Sequence, residues 1–484
     1  MLLPFENPPI LGSGGRQSLT DEKSMHEGHV RRPNVAILGA GFGGLWAART
    51  LADGPVNVSL IDRHNYHTFF PLLYQIGAAE LEPEEISQPL RKIFWKRPNV
   101  RFFLGEVQDV DLSAKVVKIP GHEIRYDYLV VALGSKPNFY GVPGLAEYAF
   151  TLKSLEQGIA LRNQILTSFE RAACEVEPGR QQAWLTFTII GGGPTGVEFA
   201  GALMELINGA LGRDFPHLDL KQVRVVLLEA SDHLLVGMPE ELSDYAQKRL
   251  TKMGIDVHLK SQVVKITPRE VLMKDGTRIA SRTVIWTAGV QGNISAGQWG
   301  LATNRRNQVE VLPTLQLPGY PEVYIVGDLA GIQQDGHPLP MVAQVGIQTG
   351  TAAGRNILRQ LAGQPPLPFR YHDKGTLDVI GRNAAVAHIW HRAFQGFPAW
   401  LIWVWVHIFN LIGYRNRFLV LIDWAWDYLF SEHSVRLIVP TEIHTGRGPA
   451  ATEIPDKADV PVGIVTPKET AKEMIFLAEL DGKV

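Results

Sequence analysis

A short apolar run that leads into a glycine-rich turn constrains this chain more than any other feature. Residues 35–38 read Val-Ala-Ile-Leu, and Gly39, Gly41 and Gly44 follow with the spacing G-x-G-x-x-G. In such a unit the first glycine permits a tight turn, the second lets backbone N–H groups approach a pyrophosphate, and the third lets the next helix pack closely. We therefore predict a strand, a phosphate-binding turn and a helix over residues 45–52.

The same unit occurs a second time. Residues 187–190 are apolar and run into Gly191, Gly193 and Gly196 with the same spacing. One glycine pattern is weak support for a nucleotide site, but two such units in one chain predict two dinucleotides held face to face. That arrangement suits the transfer of a hydride from one ring to another.

An apolar run after each turn ends at a carboxylate. Residues 57–61 lead to Asp62, and residues 223–228 lead to Glu229. At these positions a carboxylate can accept hydrogen bonds from the hydroxyl groups of a ribose. The second carboxylate comes later in its unit, because residues 209–220 read as an inserted loop.

Further apolar runs predict the elements between and after the two turns. We expect strands over residues 100–104, 107–110, 115–119, 126–134, 283–289 and 323–326, and a helix over residues 155–176. The runs that end at Gly134 and Gly289 correspond to one another. This correspondence supports an internal repeat of the fold.

Composition narrows the class of protein. The chain has 484 residues, of which 45% are apolar, and this is enough for two or three domains with real cores. Positive and negative charges nearly balance, so nothing suggests a nucleic acid partner. Cys174 is the only cysteine, which excludes a disulfide framework and a thiolate metal cluster and leaves it a bystander. Residues 1–32 read as a flexible leader without a secretory signal, which predicts a cytosolic protein.

Two histidines near the first carboxylate invite a metal interpretation. His64 and His67 follow Asp62 in the sequence, but no further ligand lies nearby. We interpret them as loop residues beside the first nucleotide and predict no metal site.

The two units, with the Gly327-Asp328 pair after a later apolar strand, resemble the flavoproteins that have two dinucleotide-binding domains. That resemblance spans roughly residues 33–440 and implies non-covalent FAD on the first unit and NAD(P)H on the second. The residues it assigns to FAD are Gly39, Ala40, Gly41, Phe42, Gly43, Gly44, Asp62, Arg63, Val107, Gly134, Gly327, Asp328 and Ala343. Those it assigns to the nicotinamide nucleotide are Gly191, Gly193, Gly196, Glu229, Ala288 and Gly289.

The single cysteine excludes some groups of these flavoproteins. Disulfide reductases and sulfide:quinone reductases need cysteines that this chain lacks. What remains is similar to the type II NADH:quinone oxidoreductases. The motifs that carry this similarity are His64-Asn65-Tyr66-His67, Phe70-Pro71-Leu72-Leu73, Gly196-Val197-Glu198-Phe199-Ala200-Gly201, Ala343-Gln344-Val345-Gly346-Ile347-Gln348, Lys374-Gly375-x-Leu377 and Ile380-Gly381-Arg382.

The resemblance implies catalytic roles for four residues. Gln344 and Gln348 match the A-Q-x-x-x-Q signature of a quinone site, Lys374 follows them, and Glu198 becomes a residue on the nicotinamide side. The two glutamines are four apart, so on a helix both amides lie on one face. Without the family, a solvated helix face, an exposed ammonium and a carboxylate favoured by the helix dipole would be the simpler interpretations.

The choice between NADH and NADPH follows from charge. Glu229 would accept the ribose hydroxyls of NADH and repel the 2′-phosphate of NADPH. Residues 230–233 supply no arginine that could offset this repulsion. We therefore predict NADH as the electron donor.

The C-terminal part of the chain changes in composition. Six of the eleven tryptophans lie between Trp390 and Trp426. The first predicted helix, over residues 399–412, would be only ~21 Å long, which is short of the ~30 Å of a bilayer core. A second helix is predicted over residues 418–430. Aromatic helices flanked by arginine suit the headgroup layer, and an apolar dimer interface is the alternative.

These observations predict an α/β fold with two Rossmann-like domains, for FAD and NADH, and a C-terminal membrane-associating helical segment. The predicted limits are a leader over 1–32, an FAD-binding domain over 33–150 and 290–370, an NADH-binding domain over 151–289, a membrane-interface or dimer segment over 371–440, and a tail with a short helix over 441–484.

The predicted function is the oxidation of NADH through FAD, with two-electron reduction of a membrane quinone and no proton pumping. We expect a homodimer on the cytoplasmic face of the inner membrane, bound to the membrane through residues 390–430. Two alternatives remain open at this point. The chain could reduce a soluble electron carrier, or it could be a flavoprotein that senses NADH.

Overall fold

The structure is a computed structural model that describes residues 31–294, 297–430 and 435–439. All but two residues of the predicted leader, and the predicted tail over 441–484, lie outside the described residues.

A six-stranded sheet carries the first glycine turn. Its strands, in spatial order, are Gln316–Leu317, Tyr320–Ile325, Tyr128–Val131, Asn34–Leu38, Asn57–Asp62 and Val100–Leu104. Every neighbouring pair except the first is parallel. The central strand is apolar because both of its faces are covered, with Val35 and Ile37 in one core cluster and Ala36 and Leu38 in another. The carboxyl ends of the parallel strands therefore meet at one edge, where such sheets bind ligands.

A five-stranded sheet carries the second glycine turn. Its strands, in spatial order, are Ala149–Thr151, Thr283–Trp286, Thr186–Ile190, Arg224–Leu228 and Asp256–His258, and all its pairs are parallel. The strand Thr186–Ile190 is buried along its whole length. The strand Ala149–Thr151 begins two residues before the predicted start of this domain at residue 151.

The C-terminal part is a three-stranded antiparallel sheet followed by two helices. The strands are Thr376–Gly381, Ala384–Ile389 and Arg392–Gly396, and the helices are Phe397–Asn410 and Tyr414–Phe430. Ala399 and Trp403 of the first helix share a core cluster with residues 384–387 of the sheet. Within the described residues, none of the helices combines the length and the apolar content needed to cross a bilayer.

The remaining strands form small sheets or lie at their edges. They are Tyr66–Thr68, Ser87–Pro89, Asp109–Asp111, Val116–Ile119, His122–Arg125, Ser135–Pro137, Val263–Ile266, Glu270–Met273, Arg278–Ala280, Val290–Gly292, Val309–Glu310, Ala330–Gly331, Gln333–Gln334 and His337–Pro338. The other α-helices are Phe42–Leu51, Leu73–Gly77, Leu90–Ile93, Leu145–Tyr148, Leu155–Cys174, Pro178–Trp184, Pro194–Leu206, Gly212–Asp214, Glu240–Lys252 and Ala343–Leu361. Short 3₁₀ turns are Phe70–Leu72, Leu220–Gln222, Gln298–Gly300 and Gly327–Leu329, and Ile207–Leu211 is a π-helical turn.

The predicted loop over residues 209–220 is wrong in its first half. The helix after the second glycine turn continues through Ile207–Leu211 and Gly212–Asp214. Ile207 and Leu211 are buried in the largest core cluster. Burial of these apolar side chains outweighs the low helix propensity of Gly209 and Gly212 and keeps this segment helical.

The second C-terminal helix begins four residues earlier than predicted, at Tyr414. The arginines there do not end a helix. Arg417 donates to the backbone carbonyls of Phe409 and Leu411 and so satisfies the end of the first helix. The buried Asn416 donates through Nδ2 to the carbonyl oxygens of Glu84, Glu85 and Ser87. These bonds fix the helix pair to the connection between two strands of the first sheet.

The predicted α/β fold with two Rossmann-like units and a C-terminal helical segment is confirmed.

Candidate active site

A cavity of about 1530 Å³ lies between the first glycine turn, the start of the second glycine helix and the C-terminal sheet and helix. The predicted residues that line it are Gly39, Ala40, Gly41, Phe42, Gly43, Asp62, Arg63, Val107, Gly134, Glu198, Gly327, Asp328, Ala343, Gln344, Gln348 and Lys374. The predicted residues outside its lining are Gly44, Gly191, Gly193, Gly196, Glu229, Ala288 and Gly289. The structure thus brings the residues predicted for FAD, except Gly44, together with the four predicted for catalysis, whereas those predicted for the nicotinamide nucleotide lie outside this lining.

The first glycine turn is shaped for a phosphate. Gly39 has φ +94°, and a Cβ there would overlap the carbonyl oxygen of Ala132. A Cβ on Gly44 would overlap the carbonyl oxygen of Gly39, so the helix can approach the strand only because this residue is glycine. Around Gly41 there is open space. The helix Phe42–Leu51 has no side-chain cap, so its first N–H groups remain available to a pyrophosphate.

Asp62 holds the first turn from the end of the neighbouring strand. Its Oδ2 accepts from the N–H of Ala40 at 2.6 Å, and its Oδ1 accepts from the N–H of His64 at 2.8 Å. The carboxylate lines the cavity. It therefore orders the backbone of the turn, and its predicted contact with a ribose would use the remaining lone pairs of the same two oxygens.

The second turn repeats this construction. Gly191 has φ +116° and packs against the backbone of Ala288, while a Cβ on Gly196 would overlap the carbonyl oxygen of Gly191. There is open space around Gly193, and the helix Pro194–Leu206 has no side-chain cap. The carboxylate of Glu229 accepts from the N–H of Gly192 at 2.6 Å.

Glu229 also binds the residue that follows its strand. Its Oε1 accepts from both the N–H and the Oγ of Ser231, each at 2.8 Å. The carboxylate is thus held at the turn as an acceptor. The negative charge remains in the position from which it was predicted to disfavour a 2′-phosphate.

Asp328 reaches the cavity from the first sheet. It follows the strand Tyr320–Ile325, which pairs with Tyr128–Val131. Ser135 donates to Asp328 Oδ2 at 2.6 Å. This residue, which the resemblance assigned to FAD, therefore follows a strand of the sheet that carries the first glycine turn.

Both predicted glutamines bind one backbone segment. Gln344 donates to the carbonyl of Gly375 at 2.9 Å and accepts from the N–H of Lys374 at 3.3 Å. Gln348 donates to the carbonyl of His372 at 2.9 Å and accepts from its N–H at 3.0 Å. Each amide therefore clamps the segment that presents Lys374 to the cavity.

Two buried carboxyl groups meet the cavity between the second glycine helix and the C-terminal sheet. Glu198 and Asp378 both line it, and both are almost completely buried. Burial raises the pKa of Asp378 to about 7. Burial, and then the charge of Asp378, raises the pKa of Glu198 well above its usual value. Asp378 Oδ2 has no hydrogen-bond partner among the described residues.

Sequence reasoning missed several residues of this lining. Asp378, Tyr74, Lys153 and His407 line the cavity although no role was predicted for them. His407 and Asn410 are three apart in the sequence, a spacing that places both on one face of a helix, and both line the cavity. The spacing was thus a usable signal for His407, whereas Asp378 looks like an ordinary member of a strand.

The predicted loop histidines do not form a metal cluster in the part of the chain that the structure describes. The buried His67 places Nδ1 2.9 Å from the carbonyl oxygen of Ala40, in the first turn. His64 lies near the carboxylates of Asp62 and Glu156, at 3.7 Å from each. Both histidines therefore contact the first nucleotide unit.

Two Rossmann-like units that meet at one cavity, each with an acid bound to its own glycine turn, define a nucleotide-dependent oxidoreductase by class. The family described as pyridine nucleotide-disulphide oxidoreductase matches residues 33–350, and the NDH2 C-terminal domain matches residues 373–433. The chain is 39% identical to the type II NADH:quinone oxidoreductase Ndh of Mycobacterium tuberculosis, over 82% of this chain and 89% of that protein. It is 35% identical to NdhA of the same organism, over 82% and 87%. The chain belongs to the type II NADH:quinone oxidoreductase family.

Solved structures share the fold. The structure of NDH2 from Plasmodium falciparum in complex with NADH matches with a TM-score of 0.77 and 19% identity, over 85% of this chain and 100% of that one. The sulfide:quinone oxidoreductase of Aquifex aeolicus matches with a TM-score of 0.64 and 20% identity, over 80% and 92%. The predicted family, the enzyme class and the cofactors FAD and NADH are confirmed.

Proposed function

We propose that this enzyme oxidises NADH at one end of the cavity and reduces a membrane quinone at the other. The observation that carries the proposal is the continuity of the cavity. Its lining includes the first glycine turn, Glu198 from the second glycine helix, and Ile402, Val406, His407 and Asn410 of the first C-terminal helix. Bound FAD supplies the two-electron chemistry between NADH and quinone.

The residues of the first unit fit FAD. The open space at Gly41, the uncapped helix and the carboxylates of Asp62 and Asp328 would hold its pyrophosphate, ribose and ribityl groups. The second turn, with Glu229, would hold the adenosine end of NADH. Glu198, at the start of the same helix, would then face the nicotinamide end.

The quinone end combines a backbone segment held by two glutamines with the carboxyl group of Asp378. Gln344 and Gln348 hold the segment of Lys374, so the ammonium group is presented to the cavity from a fixed backbone. Burial raises the pKa of Asp378 to about 7, so this carboxyl group is partly protonated at neutral pH. Quinone reduction consumes two protons, and Oδ2 of Asp378 is a position from which one can be donated.

The C-terminal helices support binding to a membrane surface. On the helix Phe397–Asn410, Leu401, Trp405 and Phe409 follow one another at intervals of four, and Trp405 is 71% exposed. Trp403 and His407 on the opposite face are buried. On the second helix the exposed apolar residues include Phe418, Leu421, Ile422 and Leu429. An exposed aromatic band on short helices suits the headgroup layer, where a quinone is within reach.

Part of the same exposed apolar surface would form the interface of the predicted homodimer. We place the enzyme on the cytoplasmic face of the inner membrane, because its electron donor is the soluble NADH. The cycle moves two electrons to the quinone without pumping protons.

Anaerobic stopped-flow absorbance tests this proposal. The flavin of the purified enzyme is reduced with NADH, and in parallel with NADPH, and is then mixed with the quinone menadione. We expect rapid bleaching with NADH and rapid recovery of the yellow absorbance with menadione. A flavin that stays reduced in the presence of quinone would contradict the proposal and favour a soluble acceptor. Turnover in sealed proteoliposomes without a change in internal pH would support the absence of pumping.

A further inference from the structure

The helix Phe397–Asn410 lines the cavity with two apolar residues, Ile402 and Val406, and two polar ones, His407 and Asn410. Phe69 and Phe70 line the cavity from the first unit. His407 brings a polar ring into this wall. Its side chain is 8% exposed, so its hydrogen bonds are made either inside the protein or in the cavity.

The ring of His407 is fixed in place on both sides. It stacks on Trp403 with 4.2 Å between the ring centroids, and it meets the ring of Phe69 edge-on at 6.2 Å. Nδ1 lies 2.8 Å from the carbonyl oxygen of Trp403, one helical turn earlier. A carbonyl oxygen can only accept, so Nδ1 carries the hydrogen in this contact.

The other ring nitrogen is then an acceptor. Burial lowers the pKa of His407 to about 4, so the ring is neutral at physiological pH. With hydrogen on Nδ1, the neutral ring has a lone pair and no hydrogen on Nε2. Nε2 has no hydrogen bond from another of the described residues, and the nearby Asn410 instead donates through Nδ2 to the carbonyl of Val406. His407 lines the cavity, and an acceptor without a protein partner at a cavity wall favours a ligand that donates.

We propose that Nε2 of His407 accepts a hydrogen bond from a hydroxyl group of the hydroquinone product and so selects the reduced form at this wall. This inference rests on the proposed function. A quinone carries carbonyl oxygens, which cannot donate to Nε2, whereas the hydroquinone carries hydroxyl groups, which can. A site that binds the reduced form more tightly than the oxidised form also favours the arrival of electrons on the bound quinone.

Product inhibition measures this selectivity. The variant His407→Phe removes the acceptor and keeps a planar ring. For His407→Phe we expect the inhibition constant of menadiol to rise about fivefold to tenfold, as for a lost hydrogen bond to a buried acceptor. The KM for menadione should change by less than about twofold, and reduction of the flavin by NADH should be unchanged. His407→Gln, which keeps an oxygen acceptor, should recover most of the menadiol affinity.

The control variant is His337→Phe. Its Nδ1 also lies near a backbone carbonyl, that of Asp335 at 3.0 Å, but His337 is exposed and outside the cavity lining. Both menadiol inhibition and menadione KM should match the wild type. Circular dichroism and flavin content of each variant show whether it has folded.

A second measurement needs no variant. In the wild type, the dimethyl ether of menadiol, which has no hydroxyl hydrogen, should inhibit at least about fivefold more weakly than menadiol. Equal inhibition by the two compounds would overturn the inference, and so would unchanged menadiol inhibition in an active His407→Phe enzyme. Failure of the wild type to reduce menadione at all would instead refute the proposed function.

Discussion

The two glycine turns are built alike but lie in different surroundings. In each, the first glycine has a positive φ and the next N–H donates to a carboxylate from the neighbouring strand. The first turn is covered by the helix Ala343–Leu361, so closely that a Cβ on Gly350 would overlap the carbonyl oxygen of Gly43. At the second turn the helix begins with Pro194 and Thr195, which are exposed.

This difference suits two nucleotides with different lifetimes on the protein. A covered turn that opens into a cavity retains its ligand, whereas an exposed turn lets its ligand exchange. FAD must remain through many cycles, and NADH must enter and leave in each one. The difference in surroundings thus supports a resident cofactor at the first turn and a substrate at the second.

The largest effect is expected from adding one methyl group at each turn. Gly44→Ala and Gly196→Ala each place a Cβ on the carbonyl oxygen of the first glycine, a backbone strain of about 3 kcal/mol, or roughly 100-fold. Gly44→Ala should lose its flavin, as measured by absorbance at equal protein concentration. Gly196→Ala should keep its flavin and be reduced by NADH about 100-fold more slowly. Equal flavin loss in both variants would break the distinction between the turns.

A fall in pH should weaken the first glycine turn before it affects the second. Burial lowers the pKa of His67 to about 4, and an unfolded histidine titrates near 6.5. Below pH 6.5 His67 takes up a proton in the unfolded chain but stays neutral in the folded one. The contribution of His67 to the free energy of unfolding, which is fully present above pH 6.5, is therefore lost as the pH falls towards 4. The total loss is about 3 kcal/mol.

Flavin fluorescence recorded from pH 7 to pH 4 checks this expectation. Release should become steeper below about pH 6 in the wild type, and His67→Gln should give a flatter profile. The titration should leave NADH binding less affected, because it acts through Ala40 in the first turn. An identical acid profile in His67→Gln would refute the role of this ring.

Substitution of the two carboxylates, Asp62 and Glu229, should have different effects. One should weaken retention of FAD, and the other should change the choice between NADH and NADPH. Glu229→Ala removes the charge that disfavours a 2′-phosphate, so the ratio of kcat/KM for NADH to that for NADPH should fall about tenfold or more. Asp62→Ala should leave this ratio unchanged and weaken flavin retention, since Asp62 binds the N–H of Ala40. A change of nucleotide preference in Asp62→Ala would show that the acids are not separate in function.

The smallest effect concerns a hydroxyl group at the second turn. Thr287 donates to the carbonyl oxygens of Ile190 and Gly191, at 3.0 and 2.9 Å. In the first unit the residue that follows the corresponding strand is Ala132, which has no hydroxyl group. Thr287→Val should raise the KM for NADH about threefold to fivefold, the value of one hydrogen bond, with flavin content unchanged. The exposed Thr251→Val serves as control. A drop in flavin content would contradict the assignment of Thr287 to the binding of NADH.

The sequence predicted correctly those elements whose conformation depends on residues adjacent in the chain. Both glycine turns, both acids and the strand Val100–Leu104 agree with the sequence, because turn geometry and strand burial are written in adjacent residues. The helix through Ile207–Leu211 was missed because its buried apolar partners come from elsewhere in the chain. Glycine propensity was there a weaker determinant than tertiary packing.

The site was less predictable where distant segments meet. The motif identified Gln344 and Gln348, but the bonds from their amides to residues 372–375 join segments that are far apart in the sequence. Asp378 carries no sequence signal, because its raised pKa comes from burial that only the packed sheet and helices create. Their roles at the quinone end stay predictions.

The bonds of Asn416 bear on how this enzyme can be engineered. One amide satisfies three backbone carbonyls of residues 84–87, and the preceding helix supplies a wall of the cavity. A truncation before Phe397, made to obtain a more soluble protein, would leave those carbonyls bare and open the site to water. Shortening the protein therefore sacrifices the site, and solubility is better sought by replacing exposed residues such as Trp405 and Phe409.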